Sequence, residues 1–143
     1  MTGYVGVTST SGSRFTTEPA SLRPVLEALK KRGLLILDSR AAPGSLVIPL
    51  ATELDLPRIA IDRVIDTDPS RAAIDDQLTQ LEALAAKNGS AIGLGEPFPT
   101  TLERVAQWAP LLSDKKLILA PVSALVSTQK AAPAKPGEGP SPP

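Results

Sequence analysis

Short apolar runs alternate with amphipathic helical segments along most of this chain, and that alternation limits the fold more than any other feature. The run at residues 34–37 is apolar at every position, which is typical of a strand covered on both faces of a parallel sheet. The segment before it carries Leu22, Val25, Leu26 and Leu29 at i, i+3, i+4 and i+7, which predicts one apolar helical stripe. Units of about 25 residues in this order predict an α/β protein, with parallel strands joined by helical crossovers.

The same pattern places the elements along the chain. Strands are predicted at residues 4–7, 34–37, 58–62, 91–95 and 116–120. Helices are predicted at residues 17–33, 43–54, 68–88 and 100–112, and Thr100 or Thr101 is expected to cap the last of them. Residues 64–66 either extend the third strand or form a separate turn. Residues 127–143 are rich in Pro, Ala, Lys and Gly without apolar periodicity, so we predict a disordered tail there.

Two arrangements of these parallel β/α repeats fit the order: an open doubly wound sheet, or part of a (β/α) barrel. The chain begins directly in an apolar strand at residues 4–7, which we expect to be buried. It carries no P-loop and no G-x-G-x-x-G sequence between the first strand and the first helix. Both observations favour the partial barrel.

The composition excludes several classes of function. The chain has no cysteine and no histidine, so it holds no disulfide, no thiolate metal site, and no Ser-His-Asp or Cys-His machinery. Its 15 basic and 15 acidic residues give a formal net charge of +0. No basic stripe is interleaved with aromatic residues, so nucleic-acid binding is not expected. No apolar run reaches the roughly 18 residues of a membrane span.

Polar residues that follow the predicted strands are the candidates for a binding site, because α/β proteins bind ligands at the carboxyl ends of parallel strands. Arg14 closes the hydroxyl-rich loop after the first strand, and either grips a carboxylate or ties down its own loop. Asp38 and Arg40 follow the second strand, as a sugar-facing charge pair or as a solvated turn. Asp66 either faces the cleft or caps the next helix. Glu96 lies between a glycine-rich strand end and a proline, where its position is rigid.

Six blocks of sequence occur in the order and spacing of one known family. They comprise residues 6–7 with 12–16, 22–26, 33–40, 66 with 68, 92–95 with 97–102, and 119–125. Together they resemble the divergent polysaccharide deacetylase family, a branch of the NodB-like carbohydrate esterases. The resemblance assigns residues 1–126 to the C-terminal portion of such a domain.

The resemblance implies a distorted (β/α) barrel that, in active relatives, holds a divalent metal such as zinc at the carboxyl ends of its strands. In the active pattern, an Asp-Asp pair lies on an early strand and two histidines lie in loops. This chain starts after that strand, with Thr10 at one histidine position and Glu96 at the other. A carboxylate can bind a metal, but a neutral hydroxyl is a poor replacement for imidazole at zinc. The resemblance therefore implies a degenerate metal site and no cofactor in this chain.

Three hypotheses for the function follow. The first is a deacetylase-like domain of carbohydrate metabolism that binds a glycan or a cell-envelope component. The residues expected to contact the substrate are Thr10, Arg14, Asp38 and Arg40. The second is an active N- or O-deacetylase, with Glu96 and Asp66 as catalytic candidates beside acids from a missing N-terminal segment. The third is a flavodoxin-like regulatory or interaction domain.

The resemblance also implies partners and a location. The expected partners are a glycan or envelope component and the missing N-terminal part of the same domain, with neither nucleic acid nor a membrane span. The family suggests a periplasmic or envelope-associated protein. Whether this chain is itself an enzyme stays open at this point, since the histidine ligands and the early aspartates of the active pattern are missing from it.

Overall fold

Parallel strands alternate with helices, as the sequence predicts for an α/β protein. The computed structural model describes residues 3–9 and 13–131. The strands are β1 (Gly6–Thr8), β2 (Leu35–Asp38), β3 (Arg58–Ala60), β4 (Arg63–Val64) and β5 (Gly93–Leu94). The helices are α1 (Ser13–Thr17), α2 (Pro19–Lys31), α3 (Val47–Glu53), α4 (Arg71–Asn88), α5 (Pro99–Trp108) and α6 (Val122–Ala131), and a 3₁₀ helix at Ala109–Lys115 follows α5.

Helix α2 forms where the apolar spacing predicts it. Pro19 occupies the first turn, where its missing N–H leaves no hydrogen bond unmade. Leu22, Leu26 and Leu29 are buried along one face of the helix. Gly33 follows the helix with a φ of 68°, a left-handed conformation that glycine adopts without strain. The local signals and the packing agree for these leucines, whereas Val25, the fourth residue of the predicted stripe, is 41% exposed.

Helix α4 begins at a side-chain cap and ends at a glycine. The Ser70 hydroxyl accepts a hydrogen bond from the Ala73 N–H at 3.4 Å, which satisfies one of the free donors of the first turn. Gly89 ends the helix with a φ of 85°. Between these ends, Ile74 and Leu78 are almost fully buried. The strongest helix signal in the sequence thus corresponds to the longest helix in the fold.

All strand pairs are parallel, with β2 between β1 and β3, and β4 beside β5. The chain changes its pairing partner between Ile61 and Asp62. The Ile61 N–H donates to the Asp38 carbonyl at 3.0 Å, whereas the Asp62 N–H donates to the Ile92 carbonyl at 2.8 Å. Because β4 carries on from β3 in this way, the carboxyl ends of β2, β4 and β5 lie at one edge of the molecule.

Different helices pack against the two faces of the sheet formed by β1, β2 and β3. On one face, Ile36 of β2 lies in a buried cluster with Leu26 of α2 and Val47 of α3. On the other face, Leu35 of β2 belongs to a second cluster, against which Leu125 of α6 packs. A strand that is apolar on both faces is therefore explained by burial on both faces, as the run at residues 34–37 predicts.

Two predictions about the sheet are not met. Neither sheet closes on itself within the described residues, so the structure shows an open parallel arrangement and does not confirm a barrel. The strand predicted at residues 4–7 is present in part as β1, but it is not buried: Tyr4 is 44% and Val5 is 58% exposed. The reason is its position, because β1 is an edge strand that pairs only with β2 among the described residues.

The predicted strand at residues 116–120 is wrong. No described strand pairs with this segment, and Ile118 is 86% exposed. An apolar run of this length forms a strand only when a neighbour takes up its backbone groups, so the run alone was insufficient evidence. Helix α6 extends to Ala131 and so includes the first residues of the predicted tail, while residues 132–143 lie outside the described residues.

Candidate functional site

Most of the residues predicted for a site lie at the carboxyl ends of β2, β4 and β5, in two hydrogen-bonded groups. The first group, the Asp66 clamp, consists of Asp66, Glu96 and Thr101. The second group, the Asp38 turn, consists of Asp38, Ser39 and Arg40. In the described part of the chain, no hydrogen bond or ion pair joins the two groups.

Asp66 is the centre of the Asp66 clamp. The residue is only 6% exposed, and its Oδ2 atom accepts two hydrogen bonds. The Glu96 N–H donates at 2.7 Å, and the Thr101 hydroxyl donates at 2.9 Å. Asp66 therefore ties the end of β4 to the end of β5 and to the first turn of α5. It does not cap α4, because Ser70 occupies that position.

Thr101 has a role that differs from the expected one. The sequence suggests a threonine cap for α5, but the helix begins at Pro99 and its N-cap, Phe98, makes no side-chain hydrogen bond. Thr101 instead lies inside the first turn, is 3% exposed, and donates its hydroxyl to Asp66. A proline at the first helical position shifts the start of the helix by one or two residues, which moves the threonine from the cap into the core.

A second aspartate braces the other end of β4 in the same way, and it was not among the predicted site residues. Asp62 Oδ2 accepts a hydrogen bond from the Ile92 N–H at 2.8 Å. Asp62 and Asp66 each bond the backbone N–H that lies 30 residues further along the chain. The two carboxylates thus bracket the short pairing of β4 with β5. The available signal was the pair of aspartates on either side of a short apolar strand.

Glu96 combines a fixed backbone with an exposed side chain. The Asp66 clamp holds its N–H, while its carboxylate makes no hydrogen bond or ion pair with a described residue. The glycines before it let β5 approach its neighbours closely. A Cβ atom at Gly93 would lie 2.9 Å from Leu81 Cδ2, and one at Gly95 would lie 2.9 Å from Ile65 Cγ1. The glycines therefore let the backbone of β5 lie against side chains of the protein core.

The Asp38 turn is closed by backbone groups. Asp38 is 5% exposed, and its Oδ1 atom accepts a hydrogen bond from the Arg40 N–H at 2.9 Å. Arg40 has a φ of 52°, in the left-handed region, and its side chain is exposed. The Ser39 hydroxyl donates to the Ser9 carbonyl, which ties this turn to the end of β1. Asp38 is held by a main-chain donor, and no described residue forms an ion pair with the Arg40 guanidinium.

The loop after β1 contributes two further predicted residues. Arg14 lies in α1 and is exposed, and its carbonyl accepts a hydrogen bond from the Thr17 hydroxyl at 3.2 Å. Thr10 lies outside the described residues. The assignment of Thr10, Arg14, Asp38 and Arg40 as substrate-binding residues stays a prediction, as does the catalytic assignment of Asp66 and Glu96.

The described residues do not fit a zinc ion. Zinc takes three or four converging ligands, most often histidine nitrogen or cysteine sulfur, and this sequence has neither residue. Asp38 and Asp66 each direct a carboxylate oxygen at a backbone N–H. Between residues 3 and 131, apart from the undescribed 10–12, no group of three or more acids comes together in a way that could hold a metal. Glu96 offers one carboxylate without a second ligand beside it there.

Ion pairs behind the site hold α4 against α5. The Arg104 guanidinium is bidentate on Asp75, with Nε at 2.7 Å and Nη2 at 2.8 Å from the two carboxylate oxygens. The hydrogen bonds that Arg104 donates to Asp75 raise the pKa of the guanidinium above its ordinary value. Glu82 accepts from the Trp108 indole N–H at 2.7 Å and from Lys115 at 2.6 Å. Trp108 is partly buried and packs against the apolar cluster that includes Ile74 and Leu78 of α4.

Comparison with known proteins links this geometry to a family. A sequence profile of the divergent polysaccharide deacetylases matches residues 1–126. The chain belongs to the divergent polysaccharide deacetylase family. The resemblance seen in the six sequence blocks is thereby confirmed, and the matched range covers both the Asp38 turn and the Asp66 clamp.

Relatives within the divergent polysaccharide deacetylases are longer than this chain. This chain is 33% identical over 100 residues to an uncharacterized protein of Haemophilus influenzae. The aligned region covers 68% of this chain and 35% of the Haemophilus protein. The chain is also 28% identical over 103 residues to the uncharacterized protein YibQ of Escherichia coli. That aligned region covers 72% of this chain and 32% of YibQ. The chain therefore spans about a third of the length of the curated relatives it matches.

A solved structure supports the fold of this deacetylase-family chain. An uncharacterized protein of Agrobacterium tumefaciens is 33% identical and superposes with a TM-score of 0.83. The match covers 85% of this chain and 50% of the Agrobacterium protein. The parallel α/β arrangement is therefore shared with a relative of known structure. Over the part of the chain that the structure describes, no helix has the length and apolar character needed to cross a membrane.

Proposed function

We propose that this chain is a polysaccharide deacetylase-like domain that binds a glycan or a similar cell-envelope component and does not itself remove acetyl groups. The proposal rests on the two buried aspartates at the strand ends, whose carboxylates already accept hydrogen bonds within the protein. Asp38 and Asp66 each accept a hydrogen bond from a backbone N–H, and Asp66 accepts a second from Thr101. These carboxylates support the loops that a sugar chain would contact.

Two exposed side chains at the same edge, Arg40 and Glu96, are the groups that would contact the glycan. Arg40 and Glu96 are exposed, and both rest on backbone that the aspartates hold in place. Sugar hydroxyls donate and accept hydrogen bonds, so a guanidinium and a carboxylate together can bind them. Fixed backbone lowers the entropy lost when such side chains are ordered by a ligand. Histidine is absent from the two positions where the active pattern has it, which supports binding without zinc-dependent hydrolysis.

The rest of a larger domain is the second proposed partner. Tyr4, Val5 and Val7 are 44%, 58% and 37% exposed on and beside β1, whose outer edge pairs with no other described strand. Uncharged apolar edge strands are normally covered. The matched regions cover only 50%, 35% and 32% of the relatives' own lengths, so each relative is longer than this chain. This supports a further strand of the same barrel-like domain as the cover for β1.

An active deacetylase is the second candidate function, and one observation favours it. Glu96 is exposed on rigid backbone at the carboxyl end of β5, and its carboxylate has no partner among the described residues. Such a group could act with acids supplied by another segment. The two candidate functions make different predictions for one measurement: an active deacetylase releases acetate from an acetylated glycan, and a binding domain does not.

Two assays on the full chain test the proposal. Co-sedimentation with insoluble chitin measures binding to an acetylated glycan, and an acetate assay with and without added zinc measures hydrolysis. We expect binding without acetate release. Absence of binding would contradict the glycan role, and zinc-dependent acetate release would contradict the non-catalytic one.

A matched pair of variants separates the two candidate functions. Glu96→Gln removes the exposed charge at the strand end, while Glu27→Gln removes a similarly exposed charge on α2, away from the strand ends. If any acetate is released and only Glu96→Gln abolishes it, the second candidate replaces the first. If binding is weakened by Glu96→Gln alone and no acetate appears, the binding proposal holds.

A further inference from the structure

A pocket lies beside β4 and the first turns of α4. Its volume is about 440 Å³, which falls within the usual range for small-molecule sites. The polar residues that line it are Asp62, Arg63, Thr67, Asp68 and Gln77. None of these belongs to the Asp66 clamp or to the Asp38 turn.

Arg63 lines this pocket, and its guanidinium is only partly paired within the protein. Its Nη1 atom donates to Gln77 Oε1 at 2.7 Å, which fixes the guanidinium against α4. Its Nε atom is buried and has no hydrogen-bond partner. No described carboxylate lies within ion-pair distance of Arg63. A guanidinium without a counter-ion is unusual in a partly buried position, because a charge removed from water normally finds a partner.

Of the two acids of the pocket, Asp62 brings an unused acceptor. Asp62 Oδ2 is occupied by the Ile92 N–H, and no described residue bonds its second oxygen. Asp68 Oδ1 accepts from the Ser70 N–H at 2.9 Å, and the Ser70 hydroxyl also interacts with this carboxylate. The pocket thus presents donor and acceptor groups, each already oriented by hydrogen bonding within the protein.

This mixture decides the chemical class of the ligand. An inorganic anion would lie beside the two carboxylates of Asp62 and Asp68, and a simple cation would lie beside the Arg63 guanidinium, so neither matches the lining. A ring that carries several hydroxyls matches it, because each hydroxyl both donates and accepts. We propose that this pocket binds one sugar ring of a glycan. The inference rests on the proposed function and places a sugar subsite on the α4 side of β4.

Backbone amide shifts in an NMR titration of the full chain with the tetramer of N-acetylglucosamine test the assignment. We expect the shifts to centre on Thr67, Asp68 and Gln77. Gln77→Met should weaken binding about tenfold through lost hydrogen bonds, and Arg63→Met by at least as much. Gln77→Met is the safer variant, because Gln77 lies on α4, where methionine is a good helix former. Glu27→Gln is the control, and it should bind as the unaltered chain does.

The titration distinguishes a wrong location for the sugar subsite from an absence of glycan binding. If the tetramer binds but the shifts centre on Arg40 and Glu96, and Gln77→Met binds normally, the subsite is overturned while glycan binding stands. If the tetramer does not bind at all, both are overturned. If inorganic phosphate shifts the pocket amides and the tetramer does not, the pocket is an anion site and the inference is wrong.

Discussion

Strands β1 and β4 are similarly short, with three and two residues, but the protein holds them in different ways. β1 pairs with β2 and exposes Tyr4 and Val5. β4 is bracketed by the carboxylates of Asp62 and Asp66, each bonded to a backbone N–H at the β5 side. Beside β4, Ile65 is buried in the cluster formed with α4.

The difference shows what a very short strand requires. Two or three residues of ladder contribute little, because the net value of each hydrogen bond is only about 1 kcal/mol. β4 gains stability from charged acceptors that satisfy neighbouring N–H groups in a buried setting. β1 has one comparable brace, the bond from Ser39 to the Ser9 carbonyl, and leaves its apolar side chains uncovered. The pairing of β4 is therefore braced by charged side chains, while the apolar edge of β1 is suited to further contacts.

The largest effect is expected at the Asp66 clamp. Asp66→Ala leaves the Glu96 N–H and the Thr101 hydroxyl without their acceptor, and Thr101 is buried. Because unsatisfied buried donors cost about 1–3 kcal/mol each, we expect the free energy of unfolding to fall by about 3 kcal/mol. Urea denaturation of the full chain measures this change.

Asp66→Asn is the matched control for that substitution. Its carbonyl oxygen retains an acceptor of the same shape without the charge, so the loss should be smaller than for alanine. Equal losses for the two variants would show that charge and not hydrogen bonding matters. A loss below about 1 kcal/mol for Asp66→Ala would remove the contrast between β4 and β1.

A smaller effect is expected on β1. A Cβ atom at Gly6 would lie 2.5 Å from the Leu35 carbonyl oxygen, so Gly6→Ala must push β1 away from β2. We expect a loss of about 2 kcal/mol, typical of overpacking. Gly33→Ala is the comparison: its Cβ would meet open space, but its φ of 68° should cost about 1 kcal/mol. If Gly6→Ala costs less than Gly33→Ala, β1 shifts freely and contributes little to the fold.

The exposed face of β1 can be tested with almost no change in stability. Val5 is 58% exposed, so Val5→Lys should alter the free energy of unfolding by no more than about 0.5 kcal/mol. A lysine on an edge strand should also reduce concentration-dependent association, measured by light scattering. The control is Ile59→Lys at a fully buried position, which should prevent folding. A large destabilisation by Val5→Lys would mean that this face is already covered in the folded chain.

Most of the fold was predictable because its helices carry strong local signals. The leucine spacing of α2 and the end of α4 at Asn88 follow from sequence alone, whereas α4 begins after Ser70 and so later than the predicted start at residue 68. Burial could not be deduced for strands, since it depends on which neighbour lies beside them. Residues 4–7 and 116–120 have similar apolar runs to residues 34–37, but only the last has strands on both sides.

The site was predictable in position but not in contacts. Asp38, Asp66 and Glu96 do lie at strand ends, as the parallel topology requires. The hydrogen bonds that occupy Asp66 join residues 30 and 35 positions apart, and no local pattern specifies such pairs. Asp62 was missed for the same reason, because its acceptor role depends on the register between β4 and β5.

The smallest effect concerns Asp68, at the loop between β4 and α4. The Ser70 N–H, followed by the Ser70 hydroxyl, lowers the pKa of Asp68 from its ordinary value of 3.8. Because the pKa is lower in the folded state, the ionised form stabilises the protein above 3.8, and this stabilisation is lost as pH falls through the folded pKa. Asp68→Asn should therefore have a slightly lower Tm than the unaltered chain at neutral pH, and the gap should narrow in acid.

Thermal unfolding of both proteins across an acid titration measures that gap. Asp114→Asn, at an exposed aspartate of the 3₁₀ helix, controls for the removal of one negative charge. A gap that stays constant down to about pH 2 would show that the carboxylate of Asp68 is not preferentially stabilised by Ser70. A gap that narrows would show that Asp68, like Asp62 and Asp66, stabilises the region around β4 by accepting a backbone hydrogen bond. Among the described residues, β1 has no carboxylate in such a role. The contrast between the two short strands would then lie in charged side chains that accept backbone hydrogen bonds, since β1 and β4 are alike in length and in parallel pairing.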